Sequence, residues 1–185
     1  MVYIFSESPL AISDSSIQLV DTKITYRKMI SKSIETSSDI VAYRGELNEF
    51  LLTLAYDSGV YSRYKVDPRL TQNEFEKLYK LWIKKALDAK SILEAPELQG
   101  MVSYDVEEKV ASIGLIAVSK ESQGKGWGKK LMKAAERCVA NQGIKEIRVI
   151  TQENNSPACK LYESLGYEIV DRVFVYHYWN SDSQP

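Results

Sequence analysis

The segment Gln123-Gly124-Lys125-Gly126-Trp127-Gly128 constrains this chain more than any other. It packs three of the chain's nine glycines into six residues, after an apolar run that ends at Val118 and before an amphipathic helical pattern. Glycine alone takes positive φ without strain and lets backbone come close to a ligand. A glycine-rich turn between a strand and a helix therefore brings unpaired N–H groups, and the partial positive charge of the helix start, to one spot. Such a nest suits a diphosphate, and Lys125 and Lys129 would add formal charge. The competing reading is a plain turn. Two nucleotide motifs are excluded by context. A dinucleotide fingerprint needs a parallel strand-helix-strand unit with an acidic residue about 20 positions on, whereas the strands before this turn read as hairpin-connected. A triphosphate loop needs Ser or Thr after Gly-Lys, and Gly128-Lys129-Lys130 does not supply it.

The pattern around this turn defines an order of elements. Residues 17–26 alternate as a strand, and the polar run 31–38 reads as a linker or exposed loop. Leu47, Phe50, Leu51, Leu54 and Ala55 recur at helical spacing up to the turn signal Asp57-Ser58-Gly59. Residues 60–70 lack a period and read as a functional loop between helices. Thr71 and Glu74 then form a capping box before the stripe Phe75, Leu78, Tyr79, Trp82, Ile83 and Ala86. Residues 91–95, 98–104 and 110–118 read as three strands of an antiparallel meander. The helix over 128–140 carries Leu131, Met132, Ala135, Cys138 and Val139 on one face and closes at Gly143. A strand over 146–151 follows, then a short helix opened by Ser156-Pro157 and closed by Gly166, and two strands over 167–170 and 173–179. There is no internal repeat. The chain divides into an N-terminal segment with the first strand (1–30), a main domain (31–180) and a disordered tail (181–185).

Bulk properties narrow the function. With 185 residues the chain builds its own core without metal or disulfide staples. Its 24 Lys and Arg against 25 Asp and Glu, net charge −1, give no electrostatic footprint for nucleic acid. No apolar stretch approaches the roughly 20 residues of a membrane span, and residues 1–10 lack the basic start of a secretion signal. The expected protein is soluble and cytoplasmic, with Cys138 and Cys159 as reduced thiols and no metal site. Its partners are small molecules, and a homodimer is the one protein assembly left open.

The Gln-x-x-Gly-x-Gly arrangement of Gln123, Gly126 and Gly128 after a strand resembles the acetyl-CoA pyrophosphate loop of the GNAT acetyltransferase superfamily. Asn154-Asn155 with Tyr162 and Leu165-Gly166-Tyr167 is similar to that family's C-terminal motif, and the order of elements over 17–179 matches. The resemblance implies an α+β GNAT fold: a mixed, mostly antiparallel sheet of about six or seven strands flanked by about four helices. A closer resemblance, carried by Leu19-Val20-Asp21-Thr22-Lys23, Ser58-Gly59, Ser62-Arg63-Tyr64, Asp67-Pro68-Arg69, Phe75 to Ile83 and Thr151-Gln152 with Asn155, is to the dTDP-fucosamine acetyltransferase group. This chain is shorter at its N-terminus than that group.

The resemblance implies acetyl-CoA as cosubstrate. It is held by Gln123, Gly124, Lys125, Gly126, Trp127, Gly128 and Lys129 around the pyrophosphate, by backbone at Ala117 and Val118 that also faces the oxyanion, and by Asn155 along the pantetheine arm. Tyr162 is the candidate acid for the leaving thiolate. With unperturbed pKa values of about 10 for tyrosine and about 8.5 for a thiol, it starts protonated at neutral pH. Each residue also has a plain structural reading: Tyr162 as core beside Leu161 and Leu165, Asn155 as a helix cap. Tyr61, Arg63, Tyr64 and Arg69 form a basic, aromatic loop suited to a sugar diphosphate acceptor. No general base stands out. His177 reads as structural, Glu153 could act through water, and an amine of low pKa needs none. Two rival functions remain: the same transfer to a protein N-terminus, polyamine or antibiotic, and an acetyl-CoA sensor without turnover.

Overall fold

The computed structural model describes residues 1–31 and 37–179. Eight strands form one sheet in the order β1-β8-β2-β7-β6-β5-β4-β3. The strands are β1 (Val2–Ser6), β2 (Ile17–Met29), β3 (Val41–Ala42), β4 (Ile92–Glu94), β5 (Gly100–Glu107), β6 (Val110–Val118), β7 (Glu146–Gln152) and β8 (Glu168–Tyr178). Five helices accompany them: α1 (Glu49–Ser58), α2 (Arg63–Val66), α3 (Gln72–Asp88), α4 (Trp127–Asn141) and α5 (Ser156–Ser164). All neighbours pair antiparallel except β6 and β7, which run parallel. This is the α+β architecture expected, with the two N-terminal strands built into the same sheet as the rest.

Alternation along the strands divides two cores between the faces. Val102 packs with α4 and Met101 with α1 and α3. On β6 the alternation changes phase, because Gly114 and Leu115 both stand opposite Ser103 and form a bulge. Ala111 and Ile113 therefore join the α4 core, while Leu115 and Ala117 join the α1 and α3 core. Ser103 Oγ accepts the Leu115 N–H at 2.9 Å, so the bulge leaves that donor satisfied.

The helices form for local reasons. Asn48 Oδ1 caps α1 by accepting the Leu51 N–H at 2.9 Å. The Thr71 N–H donates to the Glu74 carboxylate at 2.8 Å, the capping-box contact at the start of α3. Leu131, Met132, Ala135 and Val139 on α4 are all fully buried, as their spacing requires.

Several elements differ from the sequence reading. Phe50 is 75% exposed, because α1 turns Leu51, Leu52, Leu54 and Ala55 inward instead, and Trp82 stands half out of the α3 stripe. A short helix, α2, lies within the segment 60–70 read as loop, started by Ser62 Oγ accepting the Tyr64 N–H. The two C-terminal strands are one. The polar pair Asp171-Arg172 reads as a break, yet β8 passes through it with only a register shift against β2, and Arg172 pairs with Glu153 at 2.9 Å. Strand β1, hidden in a run with no clean alternation, docks on the outer side of β8. The tail 181–185 and most of the linker 31–38 lie outside the described residues.

Among the buried groups, Glu136 on α4 is 1% exposed and pairs with Lys28 of β2 at 2.8 Å. Removing one partner of such a pair strands the other's charge. Lys28→Met should therefore lower stability by about 3 kcal/mol in urea unfolding at neutral pH, whereas replacing both residues with apolar ones should cost much less.

Candidate active site

Parallel pairing of β6 with β7 covers only Val110–Ile113 against Glu146–Val149. Beyond it both strands continue and diverge. A cleft of about 990 Å³ opens there, lined by Gly114, Leu115 and Ile116 from β6, Ile150, Thr151 and Gln152 from β7, and Tyr162 from α5. An extended ligand can lie along such edges as an added strand. Ala117 and Val118 do not line this cleft. Ala117 is turned into the α1 and α3 core by the bulge, and the Val118 carbonyl accepts the Gln123 side-chain amide at 3.2 Å.

The glycine turn follows a 3-10 turn at Lys120–Ser122. Gly124 and Gly126 have φ of +74° and +83°, where any other residue is strained. Gly126 is the N-cap of α4. Among the described residues, no backbone or side-chain acceptor takes the N–H groups of Gly124 through Lys129; the first bond back into the loop is Lys130 N–H to the Gly126 carbonyl at 3.2 Å. Six amides at the start of a 15-residue helix are thus available to an anion. Gly128 sits against α5, where an added Cβ would come within 3.3 Å of Leu161. Lys130 is turned away from the nest, paired with Asp39 at 2.7 Å and stacked over the Trp127 ring.

Tyr162 is 2% exposed, packed on the rings of Tyr26 and Tyr167 at 5.5 and 6.0 Å, and it borders the cleft. Burial pushes its phenol well above the ordinary value, aided by the nearby Cys159 thiol, so it carries a proton at neutral pH. The core role and the cleft position therefore coexist in one side chain. Asn155 likewise does both: Oδ1 accepts the Ala158 N–H at 3.3 Å to cap α5, Nδ2 donates to Thr151 Oγ1 at 3.2 Å, and the residue lines the cleft.

The basic loop splits. Arg63 and Tyr64 line the cleft, but Tyr61 and Arg69 do not. Arg69 is fastened in place: its guanidinium bonds Asp67 at 3.4 Å and Gln18 at 3.0 Å and stacks on Trp179. Its spacing from Arg63 could not reveal that Asp67 and β2 claim it. Asp67 is also bound to the fully buried His177, Nδ1 to Oδ2 at 2.5 Å. Burial alone would raise the Asp67 carboxyl; the Arg69 N–H and the His177 ring outweigh it and hold it below the usual range. Glu153 pairs with Arg172 and does not line the cleft.

Three residues the sequence reading left out of the site belong to its wall. Lys23, Thr25 and Arg27 of β2 line the cleft, on the strand face opposite the buried Ile24 and Tyr26. Asp21 has the same parity but does not line the cleft; it borders a separate shallow pocket with Leu19, Val20, Thr22, Glu153 and Asn154. It is 7% exposed, its Oδ2 has no hydrogen-bond partner among the described residues, and burial raises its carboxyl from 3.8 to about 6 against the lowering fields of Lys23 and Arg63. No three His, Cys, Asp or Glu side chains cluster as a metal site among the described residues, and none of their helices is long and apolar enough to cross a membrane.

This arrangement, a splayed parallel pair with a glycine nest at one end, has known counterparts. The model of the Acetyltransferase (GNAT) family matches residues 52–167, and the chain belongs to that family. It is 32% identical over 89 residues to a streptothricin acetyltransferase of Escherichia coli, covering 40% of this chain and 51% of that one. It is 24% identical over 136 residues to the spore coat polysaccharide biosynthesis protein SpsD of Bacillus subtilis strain 168, covering 71% and 47%. The chain spans about half the length of the curated relatives it matches. The crystal structure of the PaiA N-acetyltransferase from Thermoplasma acidophilum in complex with coenzyme A superposes with a TM-score of 0.53 at 17% identity, over 84% of this chain and 99% of that one, a likeness of fold.

The raised Asp21 carboxyl carries a stability consequence with a definite sign. The folded state disfavours its ionised form, so the cost is full above about pH 6 and absent below about 3.8, the unfolded value. Asp21→Asn should stabilise the protein by about 2 kcal/mol at pH 7.5. Chemical unfolding at a series of pH values should show that gain shrinking steadily towards pH 4.

Proposed function

We propose that this chain transfers the acetyl group of acetyl-CoA to a primary amine, that of a nucleotide-linked amino sugar. The observation that carries the acceptor class is charge. Lys23, Arg27, Arg63, Lys85 and Arg148 line one cleft with only Asp105 and Asp171 as carboxylates, in a chain whose net charge is −1. Arg148 and Lys85 are paired with Glu146 and Asp105, which leaves Lys23, Arg27 and Arg63 to meet an anionic acceptor. The polysaccharide-biosynthesis name of the Bacillus subtilis relative agrees with a sugar acceptor. The names of the other two proteins agree with acetyl transfer and with coenzyme A.

The cosubstrate's pyrophosphate fits the six free amides at the start of α4, and the gap between β6 and β7 fits its extended arm. Acetyl-CoA supplies the activated thioester. The chain's own groups do the rest. Strand β2 and α2 hold the acceptor's phosphates so that the amine faces the gap. Backbone N–H groups of β6 beyond the bulge can stabilise the oxyanion, Leu115 excepted, since its N–H already serves Ser103. Tyr162, kept protonated by burial, gives its phenolic proton to the departing thiolate.

Release of free CoA measured across nucleotide amino sugars, peptides and small amines tests the acceptor. Turnover should be fastest with a nucleotide amino sugar, and Arg63→Ala should raise the acceptor KM about tenfold or more while sparing that of acetyl-CoA. Preference for peptides or small amines would sink the sugar reading, and binding of CoA without release for any amine would make the protein a sensor. Tyr162→Phe should cut kcat about a hundredfold with acetyl-CoA affinity within twofold by calorimetry; an unchanged rate removes Tyr162 from the reaction.

A further inference from the structure

The cations of the cleft wall are held in two different ways. Arg148 and Lys85 are paired with carboxylates, which neutralise them. Arg63 and Lys23 form no ion pair among the described residues; Asp21 lies within electrostatic reach of both but pairs with neither. They rest on aromatic rings instead. The Arg63 guanidinium stands 5.1 Å from the centroid of the Tyr3 ring and 4.6 Å from that of Tyr64, and the Lys23 ammonium stands 5.8 Å from that of Phe5. A ring face attracts a cation through its quadrupole without cancelling the charge. A cation seated this way is fixed in place and still attracts an anion from outside the protein, which a cation held by a carboxylate does far less.

Two of these three rings come from β1. Tyr3 and Phe5 are two positions apart on that strand and so face the same way, with centroids 6.4 Å apart. Pairing with β8 sets Tyr3 opposite His177 and Phe5 opposite Val175. The Tyr3 ring also meets the fully buried His177 ring edge-on at 5.0 Å, and His177 is bound to Asp67, the residue that ends α2. Since α2 begins at Arg63, one histidine ties down both the far end of that helix and the ring packed on its first residue. The Tyr3 phenol interacts with Arg63 and Tyr64 as well. Tyr3 does not itself line the cleft, so any effect it has on a ligand passes through Arg63. Strand β1 lies outside residues 52–167, which the family model matches, and is a place for what distinguishes this chain rather than for the shared chemistry.

We propose that β1 is a specificity element of the acceptor site, with Tyr3 as the positioning residue that holds the Arg63 guanidinium against Tyr64, on the cleft and with its charge intact. This rests on the anionic-acceptor reading of the cleft. Without the Tyr3 ring, Arg63 regains rotamer freedom, which the acceptor must then remove on binding. The thioester and the groups that act on it are untouched. The loss should therefore fall on acceptor binding and not on the chemical step.

Tyr3→Leu, Tyr3→Phe, Arg63→Ala and the double variant of Tyr3→Leu with Arg63→Ala are compared in steady-state kinetics, with acetyl-CoA calorimetry counting the folded sites. The amine is whichever member of the acceptor panel turns over. Tyr3→Leu should raise acceptor KM about fivefold, with kcat per site within about twofold of wild type, and Tyr3→Phe, which keeps the ring, should return KM to within about twofold. In the Arg63→Ala background Tyr3→Leu should add nothing further. A ring needed only for folding would instead reduce the number of acetyl-CoA sites and leave KM alone, and that result overturns the proposal. So does an effect of Tyr3→Leu that persists without Arg63, or a Tyr3→Phe variant as impaired as Tyr3→Leu. An unchanged KM in Arg63→Ala, or the absence of any amine that turns over, sinks the anionic acceptor and the role of Tyr3 with it. A raised KM in Arg63→Ala beside an unchanged one in Tyr3→Leu sinks the role of Tyr3 alone.

Discussion

Everything functional in this molecule depends on two strands that stop holding each other. Parallel strands share slanted hydrogen bonds that must be either continued or replaced, and β6 and β7 abandon theirs after Ile113 and Val149. The divergence is enforced from both sides. A bulge opposite Ser103 tips the end of β6 towards the α1 and α3 core, while β7 remains tied along its other edge to β2. The open wedge exposes backbone edges, brings the phenol of α5 to its floor and lies between the glycine nest and the cationic wall.

The two ends of the cleft use charge differently. At the start of α4 the attraction comes from backbone dipoles and unpaired amides, with lysines at the margin. At β2 and α2 it comes from formal charge on Lys23, Arg27 and Arg63. Fixed amides suit a diphosphate that is the same in every cycle. Longer side chains would suit the proposed acceptor, whose shape must be read, and Tyr64, within 3.1 Å of the Arg63 guanidinium and stacked on it, places a ring beside them.

The glycine turn, the helices α1, α3, α4 and α5 and the central strands were legible because each depends on local chemistry: positive-φ glycines, a capping box, an apolar stripe. What the sequence hid depends on distant partners. Arg69 looks like a ligand-binding arginine until Asp67, Gln18 and Trp179 are found around it. His177 was legible as structural, though not its bond to Asp67 across 110 positions. The cationic face of β2 was invisible because alternation says that residues share a face without saying what covers it. Strand β8 was split in two since a polar pair in mid-strand looks like a turn when the ion pair that accommodates it lies on another element.

One feature of the sheet order bears on how the molecule is made. Strand β2 is seated between β7 and β8, which follow it only after α1 to α4 and the strands between them. Its backbone can find neither neighbour until β7 and β8 exist, so it must wait while the local hairpin of β5 and β6 and the intervening helices form. The strand that supplies the cationic wall is thus a wedge driven in late. The glycine nest is an early, local structure, and the cationic wall is completed only when β2 meets β7 and β8.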